Sequence, residues 1–330
     1  MRVTFYHRRP QGANFSIERI FADVRAAMPK EVEAKVAVSR YPSRGIWRRL
    51  YNIIEATFRQ GDINHITGDV HFLSFLLRKS KTILTIHDSV SLHRLRGLRK
   101  RVFYFCWYWL PIRRTALVTT ISSSTKEELL RHVKVDSDKV RVLYIPVSKT
   151  FQRTPKKFNS AKPVVLQVGV GPNKNLHRLA EALQGISCHL RVIGHLSYQQ
   201  IESLRIFGIE YSSVSNISDA EVVEEYRLCD MLVFASTYEG FGLPIVEAQA
   251  TGRPVVTSNI LSMPEVAGGA ACLVDPFNVA SIREGIAKVI QDSSYREYLV
   301  RLGFENVKRF QPENIAKNYL DIYTNILEHS

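Results

Sequence analysis

Two glutamates stand eight residues apart in the stretch YEGFGLPIVE, Tyr238 to Glu247. Between Glu239 and Glu247 lie Gly240, Phe241, Gly242 and Leu243, then Pro244, a residue suited to the first turn of a helix. The apolar run Met231-Leu232-Val233-Phe234 comes just before, so the pattern predicts strand, tight loop, helix. That order aims the N–H groups of a helix N-terminus at an anion. Two glycines let a ligand approach the backbone closely. With Glu239 on the loop and Glu247 about two turns along the helix, the carboxylates would face different ends of one ligand.

A second loop carries a cation. VGVGPNKNL, Val168 to Leu176, follows the apolar Val164-Val165-Leu166 and precedes a helical pattern. Gly171, Asn173 and Lys174 lie at that helix start, where a lysine neutralises a diphosphate and exposed N–H groups add to it. The bland reading makes Asn173 a turn residue and Lys174 a solvated lysine. Two histidines end apolar runs: His87 in TILTIHDSV and His65 in INHITGDVHF. In a parallel sheet such ends face the ligand crevice, and Asp88 would orient His87 or cap a helix. His65 reads equally as a satisfied structural residue, and His71 and His93 read as surface residues. The loop HRRPQGANFS after the first strand holds Arg8, Arg9 and Gly12, which would meet an anionic acceptor or phosphate; otherwise the arginines are solvated.

These residues need a scaffold of strand ends. The chain has 330 residues, enough for two domains, and short β-rich runs alternate with amphipathic segments throughout. Helices fit between the strands, including Val70–Lys79, Leu98–Arg113 and Leu243–Ala250. The fold class expected is α/β, with two doubly wound Rossmann-like domains. The predicted boundaries are residues 1–152, residues 153–311 and a final helical segment, residues 312–330. The first residues read as a strand, not a signal peptide, and no apolar run is long enough to span a membrane. Cys106, Cys188, Cys229 and Cys272 have neither disulfide nor metal spacing and read as free thiols.

Charge is uneven. Residues 1–150 hold 28 Lys and Arg against 12 Asp and Glu; residues 151–330 hold 17 against 19. The basic half implies an anionic partner, and no nucleic-acid module is visible. Arg94 to Arg114 reads RLRGLRKRVFYFCWYWLPIRR. As an interfacial helix, it would set Arg94, Arg96, Arg99, Lys100 and Arg101 on anionic headgroups and dip Phe103, Trp107 and Trp109 into the acyl boundary. As an ordinary core helix it would have a basic, solvated start. Asp136-Ser137-Asp138 is a D-x-D, but it sits between a helix and a strand, where aspartates suit turns. No metal site is expected.

The stretch Ser236 to Pro276 resembles the E-x7-E region of family 4 retaining glycosyltransferases, and Val168 to Leu176 resembles their phosphate loop. One departure is that Gly171 and Asn173 stand where many members place an arginine. Thr85 to Asp88 resembles the family's TxHD segment. The resemblance implies a GT-B fold, two such domains facing a central cleft, with the last helix returning to the first domain. It implies acceptor binding in the N-terminal domain and donor binding in the C-terminal one. Glu239 would contact the transferred sugar, Glu247 the ribose, Lys174 the diphosphate and His87 the sugar or its leaving group. The activity implied is retaining transfer of a hexose, mannose-like favoured, from a nucleotide-diphosphate sugar to a saccharide or lipid-linked acceptor. Bacterial surface polysaccharide synthesis, at the inner face of the cytoplasmic membrane, is the setting expected. No cofactor is expected beyond that co-substrate. The alternatives are a non-catalytic glycosyltransferase-like membrane subunit and a GT-B sugar-nucleotide epimerase.

Overall fold

The computed structural model describes residues 1–9, 16–88 and 97–329. The chain divides into two compact units, residues 1–146 with 312–330, and residues 147–311.

In the first unit, β1 (Arg2–His7), α1 (Ser16–Ala26), β2 (Glu33–Val38), α2 (Ile46–Thr57), β3 (Ile63–Ile66) and β4 (Thr82–Ile86) come first. Then follow α3 (Gly97–Tyr104), a π-helical turn at Phe105–Trp109, α4 (Leu110–Arg113), β5 (Leu117–Thr120), α5 (Ser123–His132) and β6 (Val140–Val142). All six strands run parallel in the order β2-β1-β3-β4-β5-β6. Every residue of β3, β4 and β5 is buried, as befits central strands covered by helices on both faces. The predicted helix at Val70–Lys79 is instead a 3-10 helix, His71–Phe75. His71, expected at the surface, is buried there, its Nδ1 2.6 Å from the Trp107 carbonyl oxygen. Apolar side chains surround this turn, so burial rather than helical periodicity fixes its path.

The second unit runs β7 (Val164–Val168), α6 (Leu176–Leu183), β8 (His189–Ile193), α7 (Tyr198–Ile206), β9 (Tyr211–Val214) and α8 (Asp219–Leu228). It continues with β10 (Met231–Phe234), α9 (Leu243–Thr251), β11 (Val255–Ser258), α10 (Ser262–Ala267), β12 (Cys272–Val274), α11 (Val279–Gln291) and α12 (Ser293–Val307). Its parallel sheet has the order β12-β11-β10-β7-β8-β9, the doubly wound arrangement of dinucleotide-binding domains. The strand order reverses between β7 and β10. A doubly wound sheet opens its ligand crevice at that point, beyond the carboxyl ends of the two strands. Helix α13 (Pro312–Glu328) groups with the first unit, where Tyr319 and Tyr323 enter the core.

Candidate active site

The loops leaving β7 and β10 are the ones at the reversal of the second sheet, and they hold the predicted lysine and first glutamate. Gly169 leaves β7 with φ of 85°. A Cβ there would stand 2.9 Å from Cε of Lys174, so glycine both relaxes the backbone and clears a path for the lysine. A short 3-10 turn, Pro172–Lys174, capped at Gly171, then lifts Lys174 back toward the sheet edge. Its Nζ donates to Oε1 of Glu239 at 2.6 Å and lies 4.5 Å from the ring centre of Phe234. The pair is largely shielded, with side-chain exposures of 20% and 14%. That shielding makes it more than a solvated surface ion pair.

Asn173 ties the two loops together. Its Nδ2 donates to the Tyr238 carbonyl at 2.9 Å and to Oε1 of Glu239 at 3.1 Å, and its carbonyl accepts from the Thr237 N–H at 2.8 Å. Asn175 holds a left-handed conformation, φ 60°, while its Nδ2 donates to the carbonyls of Ala235 and Pro276. The loop after β10 is held from the other side by Ser262, whose hydroxyl donates to the carbonyls of Glu239 at 3.0 Å and Phe241 at 2.8 Å.

Helix α9 starts behind this loop. Gly242 caps it with φ of 107°, a conformation that favours glycine, and Pro244 occupies its first turn, where a missing N–H costs nothing. From Ile245 to Thr251 every residue of α9 is buried. Glu247 is therefore a buried carboxylate, and its Oε2 accepts from the Tyr226 hydroxyl at 2.6 Å. Gly240 and Leu243 stand on either side of the Gly242 cap in the chain, and the ring of Phe241 turns into the core. It is buried edge-on to Phe310, ring centres 5.6 Å apart. Only its backbone belongs to the loop.

Sequence reasoning missed Gly169 and Asn175 as shaping residues, although both lie in the loop it singled out. Tyr226 and Ser262 gave no local signal, because Tyr226 sits on an ordinary amphipathic helix and Ser262 follows the next strand.

In the first unit, His87 ends β4 half-buried, with Nε2 2.7 Å from the Thr67 carbonyl. A carbonyl only accepts, so Nε2 carries the proton and Nδ1 is the acceptor of the neutral ring. Burial lowers its pKa, against the opposing pull of the Thr67 carbonyl and the Asp88 carboxylate. His65 does not reach a crevice. It is fully buried, with Nδ1 2.6 Å from the Tyr323 hydroxyl and Nε2 2.8 Å from the Thr85 hydroxyl. Both ring nitrogens are satisfied inside the core, so the crevice expectation is corrected. Arg8 is paired with Glu18 at 3.1 Å, which offsets its charge, and Arg9 is exposed and donates to the Arg40 carbonyl at 2.5 Å. Gly12, Arg94 and Arg96 lie outside the described residues, as does His93.

The basic-aromatic segment departs from the interfacial expectation. Trp107 is buried, donates from Nε1 to Asp69 at 2.7 Å and carries the Arg49 guanidinium 4.6 Å from its ring centre. Phe103 is half-buried and stacks on it at 5.2 Å. Trp109 is half-buried between Phe105 and Arg113. The rings expected in lipid mostly serve the core instead. Arg99 and Arg101 are exposed and Lys100 is half-buried.

Among the described residues, no group of three or more His, Cys, Asp or Glu is placed to hold a metal ion. Asp136 instead accepts the N–H of Asp138 at 3.0 Å and caps a 3-10 turn. No described helix is long and apolar enough to cross a membrane.

Comparison with known proteins decides the family. Residues 2–150 match the model of glycosyltransferase family 4, and residues 148–305 match that of glycosyl transferases group 1. The chain belongs to the family 4 glycosyltransferases. O-antigen chain mannosyltransferase B of Escherichia coli is 30% identical to it over 230 residues, covering 63% of this chain and 60% of that protein. Serotype-specific mannosyltransferase WbdA of Escherichia coli is 26% identical over 277 residues, covering 76% of this chain and 34% of that protein. The match thus spans between a third and three fifths of these two relatives' lengths. Among solved structures, HepE of Anabaena, crystallised with UDP and glucose, superposes with a TM-score of 0.80 at 16% identity. That superposition covers 98% of this chain and 100% of HepE. The glycosyltransferase fold is therefore GT-B.

Proposed function

We propose that this family 4 glycosyltransferase transfers a hexose, mannose-like favoured, from a nucleotide-diphosphate sugar to a saccharide or lipid-linked acceptor. The observation that carries the reading is the shielded Lys174–Glu239 pair at the strand-order reversal of the second sheet. A diphosphate arriving there competes for Lys174, and the exchange releases the Glu239 carboxylate to accept from sugar hydroxyls. Glu247, anchored by Tyr226, would receive the ribose. The mannosyltransferase relatives support mannose, and their O-antigen role supports surface polysaccharide synthesis.

As the leaving diphosphate gains charge, Lys174 and the positive end of α9 stabilise it most in the transition state. On this reading they supply the positive charge, and no divalent cation is required. The acceptor would bind the N-terminal unit, with neutral His87 as a hydrogen-bonding partner. Transfer would retain anomeric configuration, by attack on the face from which the phosphate departs. The basic N-terminal unit would bring the enzyme to lipid-linked acceptors at the inner face of the cytoplasmic membrane.

The test is turnover of GDP-mannose, UDP-glucose and dTDP-rhamnose with a lipid-linked saccharide, in chelator, with the product anomer assigned by NMR. An α-linked product from one α-linked donor, abolished by Glu239→Ala, is expected. Inversion, or turnover unaffected by that substitution, would contradict the assignment.

A further inference from the structure

The larger apolar face of α2 points outward. Ile46, Leu50, Ile54 and Phe58 recur every fourth residue, and Trp47 and Tyr51 widen the stripe. Trp47 and Phe58 are each 84% exposed, Ile46 71% and Ile54 53%. Leu50 and Tyr51 are exposed too. At 100° per residue these six side chains fill an arc of about 140°. The opposite arc, Asn52, Ile53 and Ala56, is what the fold buries. A helix of a water-facing protein normally shows the reverse distribution.

Charge tells what could cover this face. Residues 34–61 contain six cations, Lys35, Arg40, Arg44, Arg48, Arg49 and Arg59, and one acid, Glu55. Glu55 lies off the apolar arc and is taken up by Arg59 at 2.7 Å and by the Arg40 N–H at 3.2 Å. At 100° per residue exposed Arg48 falls about 60° past one end of the apolar arc, while Arg59 lies beyond the helix with its guanidinium on Glu55 and the Val38 carbonyl. The long stem of Arg48 can lie along apolar surface while its guanidinium reaches phosphate. Apolar and aromatic groups bordered by arginine are the chemistry of a helix lying in the plane of an anionic bilayer surface. Helix α3 and the π-helical turn after it offer less: their exposed stripe is Leu98, Val102 and Phe105, with Trp107 turned into the core.

We propose that the outward face of α2 is the principal contact of this protein with anionic lipid, seated at headgroup depth through Trp47 and Phe58. The proposal rests on the membrane-surface reading above and goes beyond it by assigning the contact to α2 rather than to the Arg94–Arg114 segment.

The test is flotation of the full chain with vesicles rich in phosphatidylglycerol and with vesicles of phosphatidylcholine alone. Wild type should float with the anionic vesicles and lose them as salt rises. The double substitution Trp47→Ser and Phe58→Ser should weaken vesicle binding about tenfold or more. It should leave the melting temperature unchanged, since both rings stand in solvent. Leu98→Ser with Phe105→Ser should have the smaller effect. If the α2 variant floats like wild type while the Leu98/Phe105 variant does not, the assignment to α2 is overturned and the membrane reading stands. If nothing floats, both fail, while nucleotide calorimetry tests the donor site separately. If wild type is a dimer by light scattering that the α2 substitutions dissociate, the face is a self-interface and the proposal is overturned.

Discussion

Lys174 and Glu239 hold each other at 2.6 Å, and on the proposed reading a diphosphate breaks that pair to bind. Two substitutions separate the roles. Lys174→Ala removes the cation and should weaken nucleoside diphosphate affinity by about 2 kcal/mol, some thirtyfold. Glu239→Gln removes the carboxylate competing for the lysine, so nucleoside diphosphate should bind as tightly as to wild type or more tightly. Transfer should nonetheless collapse, because a neutral amide, half of it a donor, replaces the charged carboxylate that would accept from the sugar hydroxyls. Calorimetry with the diphosphate and turnover with the sugar donor read the two effects independently. Parallel loss of binding in both variants would mean that the pair acts only as a structural clamp.

At the scale of elements, the loop after β7 works because one backbone position accepts a left-handed turn under the lysine stem. Gly169→Ala places a methyl 2.9 Å from Cε of Lys174 at φ 85°. The expected cost is about 1–3 kcal/mol of stability, with weaker diphosphate binding as Lys174 is displaced. Tyr226→Phe on α8 takes an O–H donor from buried Glu247 and should destabilise the fold by about 1–3 kcal/mol, read by denaturant titration. The chain's local chemistry was legible at this scale. Glycines, Pro244 and the apolar run before Glu239 spelled out strand, loop and helix. What joins Lys174 to Glu239 was not, because their meeting across 65 positions depends on which strands are neighbours in the sheet. His65 and Trp107 stayed open between core and exposed readings for a related reason. A strand end or an aromatic run does not say which face the rest of the fold will cover, and Tyr323 and Asp69, which claim these rings, come from distant segments. The inverted face of α2 is the same lesson, since periodicity marks a stripe but not its direction.

Across the whole molecule the two halves of the chain differ in charge, and the first unit carries a set of histidines that make it answer to acid. The first gathers buried His7 and His65 and half-buried His87 around Phe21, all with pKa values lowered chiefly by loss of solvation. His7 is pushed from 6.5 down to about 4, and it accepts from the Arg25 guanidinium at 2.9 Å. Below pH 6.5 the unfolded chain binds a proton at this site and the folded chain does not. Folding stability is therefore lost as pH falls from about 6.5 to 4, by about 3 kcal/mol from His7 alone, and the loss levels off below that. His7→Gln should flatten the slope of stability against pH in that window. An unchanged slope would place the acid sensitivity elsewhere.

The proposed donor site is defined by where the diphosphate binds. The most direct measurement is calorimetric titration of GDP, UDP, ADP and dTDP into wild type, Lys174→Ala and Glu239→Gln. One nucleotide should bind wild type, lose about thirtyfold with Lys174→Ala and keep or gain affinity with Glu239→Gln. Binding that ignores Lys174, or no binding of any of the four, would contradict the placement of the donor site.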